Sequence, residues 1–402
     1  MLIPEGSRLL HIGPAKTGTT AVQSAFHRNR KVLARHGVHY AGSSSQPRQA
    51  AEAVATGKLV YGHRSGREQW PALVEEVATS TATRVVVSSE TFARCQDEAA
   101  AKVIEAFGAD RTHVVMTMRP LASLLPSAWQ QFVKNGSRRE YEVWLHALFD
   151  DNPPRAKDGG EFWEATEFWQ KTRIDEMARR WGALVGFDNV TVVSLAEQPH
   201  GFVLRTFEDL VGLPSGVLVP DPASGNPSMN FGAAEVIRLA NEHLYSHRSA
   251  SRETQAKLVE FGSVKFLRTQ RLDDTGEPIV VPRWAGERAN AVAASMNDGL
   301  RRLGVRVIGN IDALTRSEKP FVESALPPAS VSTATAAALL YGSLEAAELE
   351  IGRPQVRPTR AGALHNIDAL PTRALLGVTA QRVEQRLRSR LLRGIGRGRS
   401  RP

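Results

Sequence analysis

The sequence predicts an α/β fold, a three-layer sandwich with a central parallel sheet, and three observations carry that expectation. Near-continuous runs of β-branched and apolar residues at 8–13, 84–88, 113–118 and 189–194 suit parallel strands buried on both faces. Helical patterns separate these runs, the alternation that covers both faces of such a sheet. The first run passes into a loop rich in Lys, Gly and Thr and then into a helix, so an anion-binding turn stands at the sheet's edge.

That first unit reads Arg8-Leu9-Leu10-His11-Ile12-Gly13, then Pro14-Ala15-Lys16-Thr17-Gly18-Thr19-Thr20, then Ala21, Val22, Ala25 and Phe26 at helical spacing. A helix N-terminus offers unpaired N–H groups and a positive dipole end. Lys16 adds a full charge, the hydroxyls of Thr17, Thr19 and Thr20 add donors, and Gly18 lets backbone approach a ligand. The nucleotide-triphosphate loop GxxxxGK[ST] has Lys after its second Gly, whereas Lys16 precedes Gly18 here.

The run at 84–92 is expected to be a buried strand ending on Ser88, Ser89 and Glu90. Helix capping, pairing to a surface cation and holding magnesium as a carboxylate are roles open to Glu90 in this position. The strand at 113–118 ends in Arg119-Pro120, and Pro120 can open a helix. Arg119 then sits at the sheet's C-terminal edge, with Ser127 two turns along. Pro126 inside that helix should kink it.

Further along, Phe162, Trp163, Phe168, Trp169, Met177 and Trp181 form an aromatic stripe over 161–181, read as helix core rather than a stacking platform for sugars. A strand at 189–194 precedes a helix at 202–211 that closes at Gly212. A helix at 233–244 follows Asn226-Pro227-Ser228.

The pattern Pro-x-Lys-Thr-Gly-Thr-Thr at 14–20 resembles the phosphosulfate loop of sulfotransferases that use 3′-phosphoadenosine-5′-phosphosulfate (PAPS). The resemblance spans roughly residues 8–315 and is specific at the first loop. It implies that Lys16, Thr17, Gly18, Thr19 and Thr20 hold the phosphosulfate, that Arg119 and Ser127 hold the 3′-phosphate, and that Glu90 deprotonates the acceptor. Lys16 would also stabilise the leaving phosphate, and no metal is implied. The cytosolic members use a His as base, for which His63 is the second candidate, since His11 and His113 lie in strands and His27 and His36 fall on the first helix. The late Arg-Lys-Gly motif of those members is missing, which leaves the adenine clamp unassigned and points to the bacterial or carbohydrate-type branch. The implied acceptor is a small molecule or glycan. Two rival readings stand beside this one: a P-loop kinase acting on a small molecule, and a non-catalytic nucleotide- or anion-binding protein.

Composition bounds these readings. A chain of 402 residues, 42% hydrophobic and 23% charged, has ample material for a core. A single cysteine, Cys95, rules out an intramolecular disulfide framework and suits a reducing compartment. The first residues lack a basic start and a long apolar run, so the expectation is a cytoplasmic protein. The net charge of +9 fits a polyanionic ligand, and much of it lies after Gln381. The expected organisation is a catalytic domain at 1–315, a linker with an accessory helix at 316–380, and a basic tail at 381–402. That tail offers peripheral contact with an anionic membrane, while nucleic acid is disfavoured as a partner.

Overall fold

The computed structural model describes residues 2–57, 66–150, 163–220, 228–248, 250–270, 276–317 and 319–351. Six strands form one sheet: β1 (Arg8–Gly13), β2 (Val38–Tyr40), β3 (Arg84–Ser88), β4 (Thr112–Met118), β5 (Val190–Ser194) and β6 (Arg306–Ile308). Their order is β2-β3-β1-β4-β5-β6, and every pairing is parallel. Every residue of β1, β3, β4 and β5 is buried, which is why these strands read as unbroken apolar runs rather than alternating ones.

Successive side chains of a strand point to opposite faces, and two cores follow from that period. Leu10, Ile12, Val85, Val87, Val114, Met116 and Val192 belong to the larger core, shared with the helices Asp97–Phe107, Leu121–Lys134, Ile174–Val185 and Arg283–Leu303. Leu9, Val86, Val115 and Val193 face the smaller core, filled by Val22, Ala25 and Phe26 of the helix Thr19–Arg28 and by Phe207 and Leu210 of Phe202–Val211. This is the expected three-layer α/β arrangement.

Several elements differ from expectation for local reasons. The strand expected over 84–92 stops at Ser88, because Ser89 Oγ accepts from Thr91 N at 3.3 Å and starts a 3-10 turn over Glu90–Arg94. The first helix divides at Asn29 into Thr19–Arg28 and Arg30–Arg35, leaving His36 at the end of the second piece. The helix expected over 161–181 divides at Arg173 into Trp163–Thr172 and Ile174–Val185. Phe168, Met177 and Trp181 are core residues as expected, whereas Trp163 is exposed and Phe162 lies outside the described residues. Pro126 does lie within the helix Leu121–Lys134.

After the helix Phe231–Arg248 comes a π-helical stretch, Ala256–Val264, an uncommon geometry often found at functional sites. A helix at Thr333–Ile351 crosses it where Gly262 and Gly342 come so close that a Cβ on Gly262 would stand 2.7 Å from the Gly342 carbonyl oxygen. Ser263 Oγ donates to Leu339 O at 2.7 Å and joins the same crossing. The described residues lie almost wholly in the compact unit Met1–Ala346, while the tail beyond Gln381 lies outside them. Among the described residues, no helix is long and apolar enough to cross a membrane.

Candidate active site

Strand order assembles the site. In open parallel sheets, a crevice forms at the C-terminal edge where neighbouring strands send their connections to opposite faces. The helix after β1, Thr19–Arg28, packs into the smaller core, and the helix after β4, Leu121–Lys134, packs into the larger one. Strands β1 and β4 are neighbours, and β3 lies on the other flank of β1. The registers His11 with Ser88 and Gly13 with Met116 stagger the three strand ends by two residues each, so β1 runs past β3 and β4 past β1. The Lys16 loop, Glu90 and Arg119 therefore leave adjacent strands at one edge, although 74 residues separate Lys16 from Glu90 in the chain.

Within the loop, Lys16 and Gly18 adopt left-handed backbone, with φ of 70° and 81°. Gly18 is the helix N-cap and brings no side chain to it, and the first turn holds no carboxylate. A positive dipole end and its N–H groups are thus left without an acidic side chain of the helix to engage them. The threonines divide their work. Thr17 is fully buried, and its hydroxyl donates to Pro14 O and meets Thr117 Oγ1, both at 2.5 Å. It pins the loop to β4, so what it offers a ligand is its backbone N–H. Thr19 is buried and Thr20 exposed, both in the helix's first turn.

Lys16 is partly buried. Burial lowers its pKa, the Glu90 carboxylate opposes that shift, and Arg268 reinforces it. Glu90 is held by Gln23, whose Nε2 donates to Glu90 Oε2 at 2.8 Å from the same helix that the loop opens. Gly13 touches it from below: its φ is +89°, and a Cβ there would stand 2.9 Å from the Glu90 Cβ. Only glycine meets both demands at this position. Ser89, beside Glu90, donates from Oγ to Gln46 Oε1 at 3.2 Å.

Arg119 follows β4 directly and is partly buried. Ser127 Oγ donates to Leu124 O at 3.0 Å, so it must give up that bond to donate to a ligand. The histidines at the sheet serve packing: His11 bonds Ser88, and His113 bonds Thr191, each at 2.8 Å. His63 and the Asn226-Pro227 pair lie outside the described residues. Among the described residues, no group of three or more His, Cys, Asp or Glu is placed to hold a metal ion.

Two cations at this site escaped the sequence reading. Lys134 ends the helix that begins two residues after Arg119, and Arg268 lies on the short helix Lys265–Thr269. Lys16 and Arg268 both act on Lys134, and Arg268 acts on Lys16. Gln23 was likewise unread as a partner for Glu90. Helical periodicity placed Gln23 on the first helix, but only the fold shows what it meets.

Among solved structures, a sulfotransferase from Alicyclobacillus acidocaldarius is similar to this chain. The two share 13% identity at a TM-score of 0.37, and the match covers 62% of this chain and 97% of that one. No protein-family model and no curated protein matches the chain.

Proposed function

We propose that this chain transfers a sulfuryl group from PAPS to an acceptor hydroxyl or amine. The observation that carries the reading is the convergence of the Lys16 loop, Glu90 and Arg119 on one crevice, through the adjacency of β3, β1 and β4. The donor set suits such a ligand: a helix N-terminus with Gly18 at its cap and Lys16 for the phosphosulfate, and the Arg119 guanidinium at the end of β4, with Ser127 on the following helix, for a 3′-phosphate.

In this scheme the acceptor oxygen attacks sulfur in line, forming an O–S bond as the bond between sulfur and the bridging oxygen breaks. The acceptor proton passes to Glu90, which Gln23 and Gly13 hold in place. The electron pair of the broken bond stays on the bridging oxygen, leaving adenosine 3′,5′-bisphosphate. Lys16 and the loop N–H groups offset the charge that grows there. The acceptor is a small molecule or glycan. The tail after Gln381 is a candidate membrane contact, to be tested by truncation.

The test needs no acceptor: calorimetric titration of the full chain with adenosine 3′,5′-bisphosphate in EDTA, and separately with ATP. The bisphosphate is expected to bind without magnesium. Losing one charged hydrogen-bond partner weakens binding roughly ten- to hundredfold, the expected effect of either Lys16→Ala or Arg119→Ala. Arg119→Ala should in addition abolish the preference for nucleotides bearing a 3′-phosphate. Unchanged discrimination in that variant removes the 3′-phosphate assignment. A second prediction concerns the metal: turnover should survive EDTA, whereas ATP binding that appears only with magnesium turns the reading to a kinase.

A further inference from the structure

A hydroxyl, an imidazole and a carboxylate stand in line beside the edge strand β2, and the Lys16 crevice uses none of them. Val38 and Tyr40 of that strand face the smaller core, so the period of two turns His39 to the opposite side. There His39 Nδ1 lies 2.9 Å from Ser80 Oγ, and its Nε2 lies 3.0 Å from Glu76 Oε1. Both partners come from one stretch of chain. Glu76 belongs to the last turn of the helix Gly66–Thr79, and Ser80 is the residue after it.

Elementary chemistry fixes the direction of these bonds. An ionised carboxylate only accepts, so Nε2 carries the proton given to Glu76. In a neutral imidazole Nδ1 then holds a lone pair, and Ser80 donates to it. Ala82 N donates to Ser80 Oγ at 3.4 Å, which agrees with a hydroxyl whose own proton points at the imidazole. Glu76 is held in turn, because Gly42 N lies 3.0 Å from each of its oxygens. Nucleophile, base and orienting carboxylate thus follow one another at the spacing that activates a serine.

A cavity of about 670 Å³ opens on the three, a volume usual for small-molecule sites. Ser80, His39 and Glu76 all line it, and so do Thr81 and Ala82, the loop just past the serine. The His39 and Glu76 side chains keep 33% and 37% of their surface exposed, so a small molecule can reach them. Lys16, Glu90 and Arg119 are not among the residues that line this cavity.

We infer that Ser80, His39 and Glu76 form a second reactive centre, which hydrolyses a small carboxylic ester through an acyl-serine. Ser80 Oγ bonds to the ester's carbonyl carbon while its proton passes to His39 Nδ1. The bond from that carbon to the alcohol oxygen breaks, and the alcohol leaves with the electron pair and with the proton from His39. Water then repeats both steps on the acyl-serine, releasing the carboxylic acid and restoring the hydroxyl. Glu76 is a positioning residue, which keeps Nδ1 turned toward Ser80 and balances the charge of the protonated ring. This centre shares no residue with the sulfuryl-transfer crevice, so either can fail without the other.

The experiment treats the full chain with a fluorophosphonate, which bonds covalently to activated serines. It also follows hydrolysis of 4-nitrophenyl acetate in wild type, Ser80→Ala, His39→Gln and Glu76→Gln. Peptide mass mapping should find the phosphonyl group on Ser80. Hydrolysis should drop to background in Ser80→Ala and by about 10²- to 10⁴-fold in His39→Gln. Glu76→Gln should lower kcat and leave KM unchanged. Labelling of wild type needs no variant, so a misfolded variant cannot decide the result. Absence of the phosphonyl group from Ser80 overturns the inference, as does equal hydrolysis in wild type and Ser80→Ala. A lowered Tm in His39→Gln with Ser80 unlabelled in wild type also overturns it, since the three groups then only tie β2 to the helix.

Discussion

Glu90→Gln should bind adenosine 3′,5′-bisphosphate as wild type does while turnover falls by about 10²- to 10⁴-fold, the usual contribution of a positioned general base. The substitution keeps the side chain's size and leaves one oxygen to accept from Gln23 Nε2, so the loop that Gln23 supports is undisturbed. It removes the group that takes the acceptor's proton. Turnover can be followed before an acceptor is known, as slow release of the bisphosphate from PAPS with water as acceptor. Undiminished release with the donor still bound excludes Glu90 as base and directs attention to residues outside those described, His63 first among them. Weakened donor binding instead makes Glu90 a support for Lys16, whose charged form its carboxylate favours.

The second large effect is on stability rather than turnover. His11 sits in β1 with no exposure, its Nδ1 bonded to Ser88 Oγ and its ring edge-on to Phe207 at 4.9 Å between centroids. Its Nε2 is buried without a partner, so a second proton there has nothing to accept its charge. Burial lowers its pKa from 6.5 to about 3. Between those two values the unfolded chain takes up a proton that the native chain refuses. Stability is therefore lost as pH falls through that window, on the order of 4 kcal/mol over its full width. His113, buried and lowered to about 4, adds to the loss in the same direction. Urea midpoints at pH 7 and pH 4.5 measure it, and His11→Gln should lose clearly less stability between the two than wild type. Equal losses in the two proteins show that His11 titrates normally in the fold.

The legibility of these features follows the range of the forces behind them. Strands β1, β3, β4 and β5 were readable because burial on both faces leaves an unbroken apolar run, and the helix Phe202–Val211 was readable to the residue because Gly212 ends it in left-handed backbone. Strand β2, three residues long, was too short to leave a period. The loop at 14–20 was legible because its chemistry is contiguous. The inward turn of Thr17 was not, since it depends on Thr117, 100 residues away. Lys134 left no signal in the sequence, because the amides that occupy the carbonyls at its helix end, Asn241 and Gln255, lie more than 100 residues away. Strand order brought Glu90 beside Lys16, and order among parallel strands leaves no mark in local sequence.

The contact between Gly13 and Glu90 has a consequence for how this protein could be redesigned. Loop, base and Gln23 are built from β1, its following helix and the end of β3, elements locked so closely that one added methyl group collides. Lys134 and Arg268 come instead from the far end of Leu121–Lys134 and from Lys265–Thr269. The unit of loop, carboxylate and Gln23 and the segments carrying Lys134 and Arg268 are thus separate pieces of chain. Substitutions outside residues 8–28 and 84–94 therefore leave that closely packed unit intact, whereas changes within it must be made together.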